Sequence, residues 1–195
     1  RIIIKSTVPV GTCDRLGVMF MPEFLTESNW QTDFVNQKNW ILGANESSEE
    51  IRDELYSVFE SSWKDGALSH EPKMFFTTTE EAELVKYVRN CFLATKVSFF
   101  NEIHSFCEAK DIDYEKVLGM VTLDERINKS HTSVPGPDGK KGFGGTCFPK
   151  DMAALNAQFS HLGVPSKIIR SSISRNNSID RPEKDWKNDK GRSVL

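Results

Sequence analysis

No run of apolar residues in this 195-residue chain approaches the roughly 18 that would suggest a membrane span, and no signal-peptide pattern is present. A surplus of positive charge is lacking too. Twenty-five Lys and Arg against 28 Asp and Glu leave a net charge of -3, which excludes a general nucleic-acid binder. Cysteine is scarce: positions 13, 91, 107 and 147 contain no CxxC pair, so zinc-site spacing is absent, and four thiols in a chain of this size make no disulfide framework. They read as free thiols of a cytoplasmic protein. The histidines at 70, 104, 131 and 161 have no ligand or triad spacing, and no metal site is expected. No G-x-G-x-x-G occurs and no internal repeat is seen. The N-E-S at Asn45 would accept a glycan only in a secreted protein. The first residue is Arg1 and the chain opens abruptly on RIII, so it is expected to be a piece of something longer.

What is there falls into two parts. RIIIK (1–5), an apolar run in 17–25 that Pro22 must end or place at an edge, NWILGA (39–44) and KMFFTT (73–78) read as strands. Residues 45–63 read as a helix with a Ser47/Glu50 capping box and an apolar face of Ile51, Leu55, Val58 and Phe59. Strands alternating with a helix over short connections indicate an open α/β sheet. From Thr78 to Lys110 there is no Gly or Pro. Thr78 and Glu81 have capping-box spacing, and Leu84, Val88, Phe92, Phe99, Ile103 and Phe106 recur at helical spacing with Thr95 in the gap. Such a helix is roughly 45–50 Å long and suits a domain span or an interface. Helices are also expected over 111–121, 148–163 and 164–179, a Gly/Pro-rich loop over 128–146, and a polar linker or tail over 180–195. The boundaries expected are 1–77, 78–179 and 180–195.

The chemistry concentrates in GFGGTCFPKD (142–151). Its glycines permit positive φ and close approach of the backbone to a ligand. Pro149 marks a helix start just after Cys147. The free amides and dipole of a helix start favour a thiolate. Lys150 adds positive charge within one turn, and Asp151 is able to orient or deprotonate a water. The alternative is an inert cysteine beside an ordinary helix cap. The run fails the Walker pattern, since neither Lys140 nor Lys141 precedes Ser or Thr, and no strand leads into it. Lys86 and Asn90 lie one turn apart, with Asn101 near the same stripe. They suit an oxyanion or sugar hydroxyl, or form a solvated polar stripe. Glu23 and Glu27 flank FLT as either acid–base groups or surface charge. Thr7 follows the first strand, where open α/β sheets bind ligands.

KSTVPVGT (5–12), PEFLTE (22–27), LVKYVRNCFLATKVSFFNEI (84–103), DERI (124–127) and GFGGTCFPKD together resemble the UDP-glucose/GDP-mannose dehydrogenase family, in family order and over most of the chain. The resemblance implies the second half of a Rossmann-like NAD-binding sheet followed by an all-helical central dimerisation domain. It implies oxidation of a sugar-nucleotide primary alcohol to a carboxylate with two NAD⁺ as cofactor. UDP-glucose is the expected substrate, with GDP-mannose or UDP-N-acetylmannosamine as alternatives.

By the same resemblance, Cys147 attacks the aldehyde and carries the thioester, and Lys86 with Asn90 stabilises negative charge on the reacting oxygen. Asp151 handles the water, Glu23 acts in acid–base catalysis, and Thr7 holds a water. Ser6, Thr7, Val8 and Glu27 lie by the NAD, with Cys147 and Lys150 also beside it. Glu23, Phe24, Leu25, Lys86, Asn90, Arg126, Phe143 and Gly144 contact the sugar nucleotide, Arg126 from across a homodimer built on the long helix.

Met21 stands where the family often has Asn, Ser28 where it often has Gly, and the HTSVPGPDGKK loop is longer than in many members. The dinucleotide fingerprint and the third, nucleotide-binding domain are missing, so these residues alone are expected to be inactive. Two readings compete: a non-catalytic helical dimerisation module that keeps the motifs by inheritance, and an unrelated thiol hydrolase pairing Cys147 with His131 or His161.

Overall fold

The computed structural model describes residues 2–26, 29–44 and 49–188. Ser47 of the expected capping box, Asn45, Glu27 and Ser28 lie outside these residues. The chain divides into two compact units, Arg1–Lys86 and Tyr87–Leu195.

The first unit is built on a four-stranded sheet ordered β1-β2-β3-β4: Ile3–Ile4, Met19–Phe20, Asn39–Gly43 and Lys73–Thr77. β1 and β2 are parallel, as are β3 and β4, whereas β2 meets β3 antiparallel through Phe20 and Gly43. The sheet is therefore mixed. β2 stops two residues short of Pro22, which has no N–H for a ladder. Two short helices that show no periodicity long enough to read, α1 (Thr12–Leu16) and α2 (Trp30–Val35), flank β2. α3 runs Glu49–Lys64 between β3 and β4.

Side chains alternate across the strands, so β3 packs on both faces. Trp40 and Leu42, both buried, join Met21 and Leu68 on one side, against Phe34 of α2 and Leu55, Phe59 and Trp63 of α3. The Trp40 ring lies edge-on to Phe34, centroids 5.2 Å apart, and 4.5 Å from Phe59. On the other side Ile41 packs with Cys13, Phe20 and Ala82. Gly43 ends β3 where a Cβ would come within 2.8 Å of the Thr78 carbonyl oxygen and of Ala82 Cβ. Only glycine lets this strand pass so close to the start of the long helix.

That helix, α4, spans Thr79–Lys110. The expected capping box is formed: the Glu81 N–H donates to Thr78 Oγ1 (3.2 Å) and the Thr78 N–H to Glu81 Oε2 (3.0 Å). Beyond Lys86 it belongs to the second unit, whose regular elements among the described residues are all helices. α5 (Tyr114–Val121) starts on Asp113, whose carboxylate accepts the Lys116 N–H. α6 (Phe148–His161) and α7 (Lys167–Arg175) follow, then a π-turn over Asn176–Asp180 and a 3₁₀ turn over Asp185–Asn188.

The core of this unit gathers Phe100, Cys107, Tyr114, Leu118 and Val134. A neighbouring stripe of α4 is different: Val88, Phe92, Phe99 and Phe106 are all more than half exposed. No helix among the described residues is long and apolar enough to cross a membrane.

Candidate functional site

In the first unit the loop after β1 carries Ser6, Thr7 and Val8, exposed or half-exposed at the C-terminal end of the strand. α1 follows with Gly11 in the left-handed region at its start. The free amides at this helix start are already taken. Glu83, fully buried on α4, accepts the Gly11 N–H at 2.6 Å and the Cys13 N–H at 2.8 Å. A phosphate would have to displace a carboxylate of the protein itself. Burial and the adjacent Glu83 carboxylate push the Cys13 thiol up to about 12, so this cysteine stays protonated.

After β2 come Glu23, Phe24 and Leu25, all half-buried. Lys86 is buried, donates from Nζ to the Glu23 backbone carbonyl and lies 5.6 Å from the Phe24 ring centroid. Lys5 pairs with the Glu23 carboxylate at 3.1 Å. The first unit thus brings together Lys86, Glu23 and Phe24, which are 62–63 residues apart in the sequence.

The second unit holds the thiol. Cys147 is the N-cap residue of α6 and is exposed, whereas Cys13, Cys91 and Cys107 are buried. Its Sγ lies 3.9 Å from Thr146 Oγ1, and among the described residues no histidine hydrogen-bonds it. His131 instead packs on the Phe148 ring and shares a hydrogen bond with Ser130 at 2.5 Å. One turn into α6, Asp151 is completely buried. Asn90 Nδ2 donates to its Oδ2 at 2.5 Å, and Lys150 Nζ pairs with its Oδ1 at 2.5 Å. Both carboxylate oxygens are therefore occupied and the group is aimed. Burial, with the Asp151 charge beside it, pushes the neighbouring Cys91 thiol up to about 12. Arg126 stands apart, forked on Asp124 with its side chain 88% exposed.

The polar stripe of α4 is not solvated. Asn101, which helical spacing alone leaves as a surface residue, is buried, and its Oδ1 accepts the Gly142 N–H at 3.1 Å. Three further residues were not foreseen. Asn176 is fully buried and bonds Phe143 twice: it accepts the N–H at 2.8 Å and donates to the C=O at 3.0 Å. Arg181, also buried, reaches Asp138 at 2.6 Å and Asp185 at 2.6 and 2.8 Å. Glu83 is the third. No local spacing marks any of them.

Arg181 and Lys140 hold the Asp185 carboxyl far below the usual carboxylate range. A carboxyl depressed in the folded state contributes stability above its unfolded value of about 3.9, and that contribution is lost as pH falls through the folded value. Asp185→Asn should therefore lower the melting temperature at neutral pH, and the gap to wild type should narrow steadily as pH falls below about 4. Burial raises the Asp180 carboxyl and acts in the opposite sense. Comparing melting curves of the two proteins across pH cancels that effect.

Residues 80–178 match the UDP-glucose/GDP-mannose dehydrogenase family, central domain. The chain belongs to this family. It is 35% identical over 186 residues to a UDP-glucose 6-dehydrogenase of Rickettsia prowazekii, covering 90% of this chain and 40% of that protein. It is 35% identical over 190 residues to the UDP-glucose 6-dehydrogenase TuaD of Bacillus subtilis, covering 90% and 38%. Among solved structures, a UDP-glucose dehydrogenase from the hyperthermophilic archaeon Pyrobaculum islandicum superposes with a TM-score of 0.75 at 31% identity, covering 90% of this chain and 40% of that one. The chain thus spans about 40% of the length of such relatives. The expected fold class, part of a dehydrogenase sheet followed by a helical region with one long helix, is borne out.

Proposed function

We propose that this chain carries the covalent centre of an NAD-dependent sugar-nucleotide 6-dehydrogenase that oxidises UDP-glucose to UDP-glucuronate. The observation that supports it most is the α6 start: an exposed Cys147 at the N-cap, with a fully buried Asp151 one turn on, fixed by Asn90 and Lys150.

A helix N-cap favours a negatively charged sulfur, which is the nucleophile. The Cys147 thiolate adds to the C6 aldehyde of the sugar and forms a thiohemiacetal. Oxidation of that adduct gives a thioester. Water then cleaves the thioester, releasing the carboxylate and returning the thiol. Asp151 aims that water. Lys86 and Asn90 stabilise the negative charge on the reacting oxygen. Glu23 moves the alcohol proton and Thr7 holds a water. Phe24, Leu25, Phe143 and Gly144 contact the sugar nucleotide.

NAD⁺, which would accept both hydrides, would lie by Ser6, Thr7 and Val8 at the end of β1. Lys150 and Glu27 are assigned to the same cofactor. The start of α1 offers the pyrophosphate no cradle, because Glu83 fills its amides. These 195 residues by themselves are therefore expected to produce no NADH.

On this reading, residues 1–77 are part of the cofactor domain and 78–179 the helical central domain. The protein works in the cytoplasm, where sugar nucleotides are made. It pairs through the exposed Phe92–Phe99–Phe106 face of α4, beside a groove of about 540 Å³ that Arg126 also lines. A non-catalytic dimerisation module would use the same face.

The test is to give the complete natural protein NAD⁺ with UDP-glucose, GDP-mannose or UDP-N-acetylmannosamine. Two NADH per UDP-glucuronate, with a quenched thioester on the Cys147 peptide, is the expected result. No NADH with UDP-glucose would overturn the reading, and turnover of another sugar nucleotide would move the substrate.

A further inference from the structure

The loop Gly142–Gly145 is clamped from behind by side chains that belong to none of the assigned roles. Gly142 and Gly145 have φ of 71° and 69°, a backbone that glycine adopts without strain. Between them Phe143 is buried, and both of its backbone polar groups are bonded by the Asn176 side chain. Asn101 takes the Gly142 N–H. A Cβ on Gly144 would run into the guanidinium of Arg181, 2.6 Å from Nη1 and 2.7 Å from Nη2.

A guanidinium ordinarily swings aside, but this one is held by Asp138 on one nitrogen and by Asp185 on two others. Lys140 ties Asp185 back to the same loop region at 2.6 Å. The π-turn explains why Asn176 and Arg181 can act together. Its Arg181 N–H bonds the Asn176 carbonyl at 2.8 Å. The extra residue in that turn lets a helix end and the segment after it both face the loop.

We infer that Asn176 and Arg181 are positioning residues: they set the backbone of Phe143 and Gly144, three to four residues before Cys147, at the place where the sugar nucleotide would lie against it. The substrate half of this inference rests on the function proposed above; the clamp itself does not. Misplacement of a binding surface by about 1 Å can cost around a hundredfold, so such a clamp earns its ion pairs in catalysis and not only in stability.

The test uses the complete natural protein with Asn176→Asp, Arg181→Gln, Arg181→Lys, Asp138→Asn and Gly144→Ala. Arg181→Gln should raise the KM for the sugar nucleotide about tenfold, the usual size of a lost charge-assisted bond pair, and leave the KM for NAD⁺ within about twofold. Arg181→Lys should fail to rescue it, since an ammonium cannot fork onto both carboxylates. Gly144→Ala should be impaired, and less so in combination with Arg181→Ser, because the clash is then gone.

Trypsin cleavage after Lys140 and Lys141, and alkylation of the exposed Cys147 by iodoacetamide, report the loop without any turnover. Both should change in the Arg181, Asn176 and Asp138 variants. If Arg181→Gln does not fold, Asp138→Asn and Gly144→Ala carry the comparison. Lower melting temperatures with unchanged cleavage, alkylation and sugar-nucleotide KM would overturn the inference. Altered loop cleavage in a protein that oxidises no sugar nucleotide would keep the clamp and remove the proposed function.

Discussion

Cys147→Ala in the complete natural protein should lower kcat for UDP-glucuronate formation by at least about a thousandfold, the scale of losing a covalent nucleophile. KM for UDP-glucose should move far less, because the substrate contacts proposed here lie on other residues. The matching controls are internal. Cys13 and Cys91 are buried and held as neutral thiols up to about 12, and Cys107 is buried in the helical core. Cys13 and Cys91 therefore present no thiolate at neutral pH, and burial keeps Cys107 from a substrate. Cys107→Ala and Cys91→Ala should therefore reduce stability and spare the chemistry. Steady-state NADH production for the three variants checks this, and full activity in Cys147→Ala would remove the thioester from the mechanism.

On the proposed mechanism the loss is large because the sulfur would link two oxidations. A free aldehyde can leave, hydrate or react elsewhere between them. Covalent attachment keeps the carbon in place and turns the second oxidation and the hydrolysis into steps within one complex. On the same mechanism the buried Asp151 would act at the last of these. Asp151→Asn should let the thioester accumulate, since its amide can still accept from Asn90 but cannot take a proton from water.

The sequence marked the helical half well. Thr79–Lys110 is free of Gly and Pro and opens on a capping box that the structure reproduces hydrogen bond by hydrogen bond. GFGGTCFPKD likewise announced a helix start behind a glycine loop, because Pro and Gly have fixed positional meanings there. What stayed hidden has one physical cause. Asn101, Asn176 and Glu83 act through partners 33 to 72 residues away, Arg181 adds a contact 43 residues back to Asp138, and no local period encodes such contacts. Arg181 is the sharpest instance. It sits in a stretch whose composition indicates a polar linker, and only the carboxylates around it allow a guanidinium to be buried there. The antiparallel β2–β3 pairing was equally hidden, since a two-residue strand has no readable alternation.

Phe92→Glu with Phe99→Glu should convert a dimer of the complete natural protein into a monomer, raising the dissociation constant by about a hundredfold or more. Phe92, Phe99 and Phe106 are seven residues apart, and Thr95 completes a three-four spacing between the first two. Such a seam projects from one side of a helix and matches itself in a second copy. The core of the unit closes without these rings: Phe100, Cys107 and Leu118 are buried, while Phe92 remains 65% exposed. Three phenylalanines in a row on a helix face form the kind of contiguous apolar patch that marks an interface. A charged pair placed there is solvated in the monomer and desolvated in the dimer, so the penalty falls almost entirely on association. Sedimentation velocity reads the outcome, and circular dichroism should show an unchanged helix content. If Arg126 completes the site of the partner copy, the same double variant should lose sugar-nucleotide oxidation along with the dimer, and a mixture with an Arg126→Ala protein should recover none of it. A wild-type protein that stays monomeric at micromolar concentration would show that α4 meets something other than its own copy.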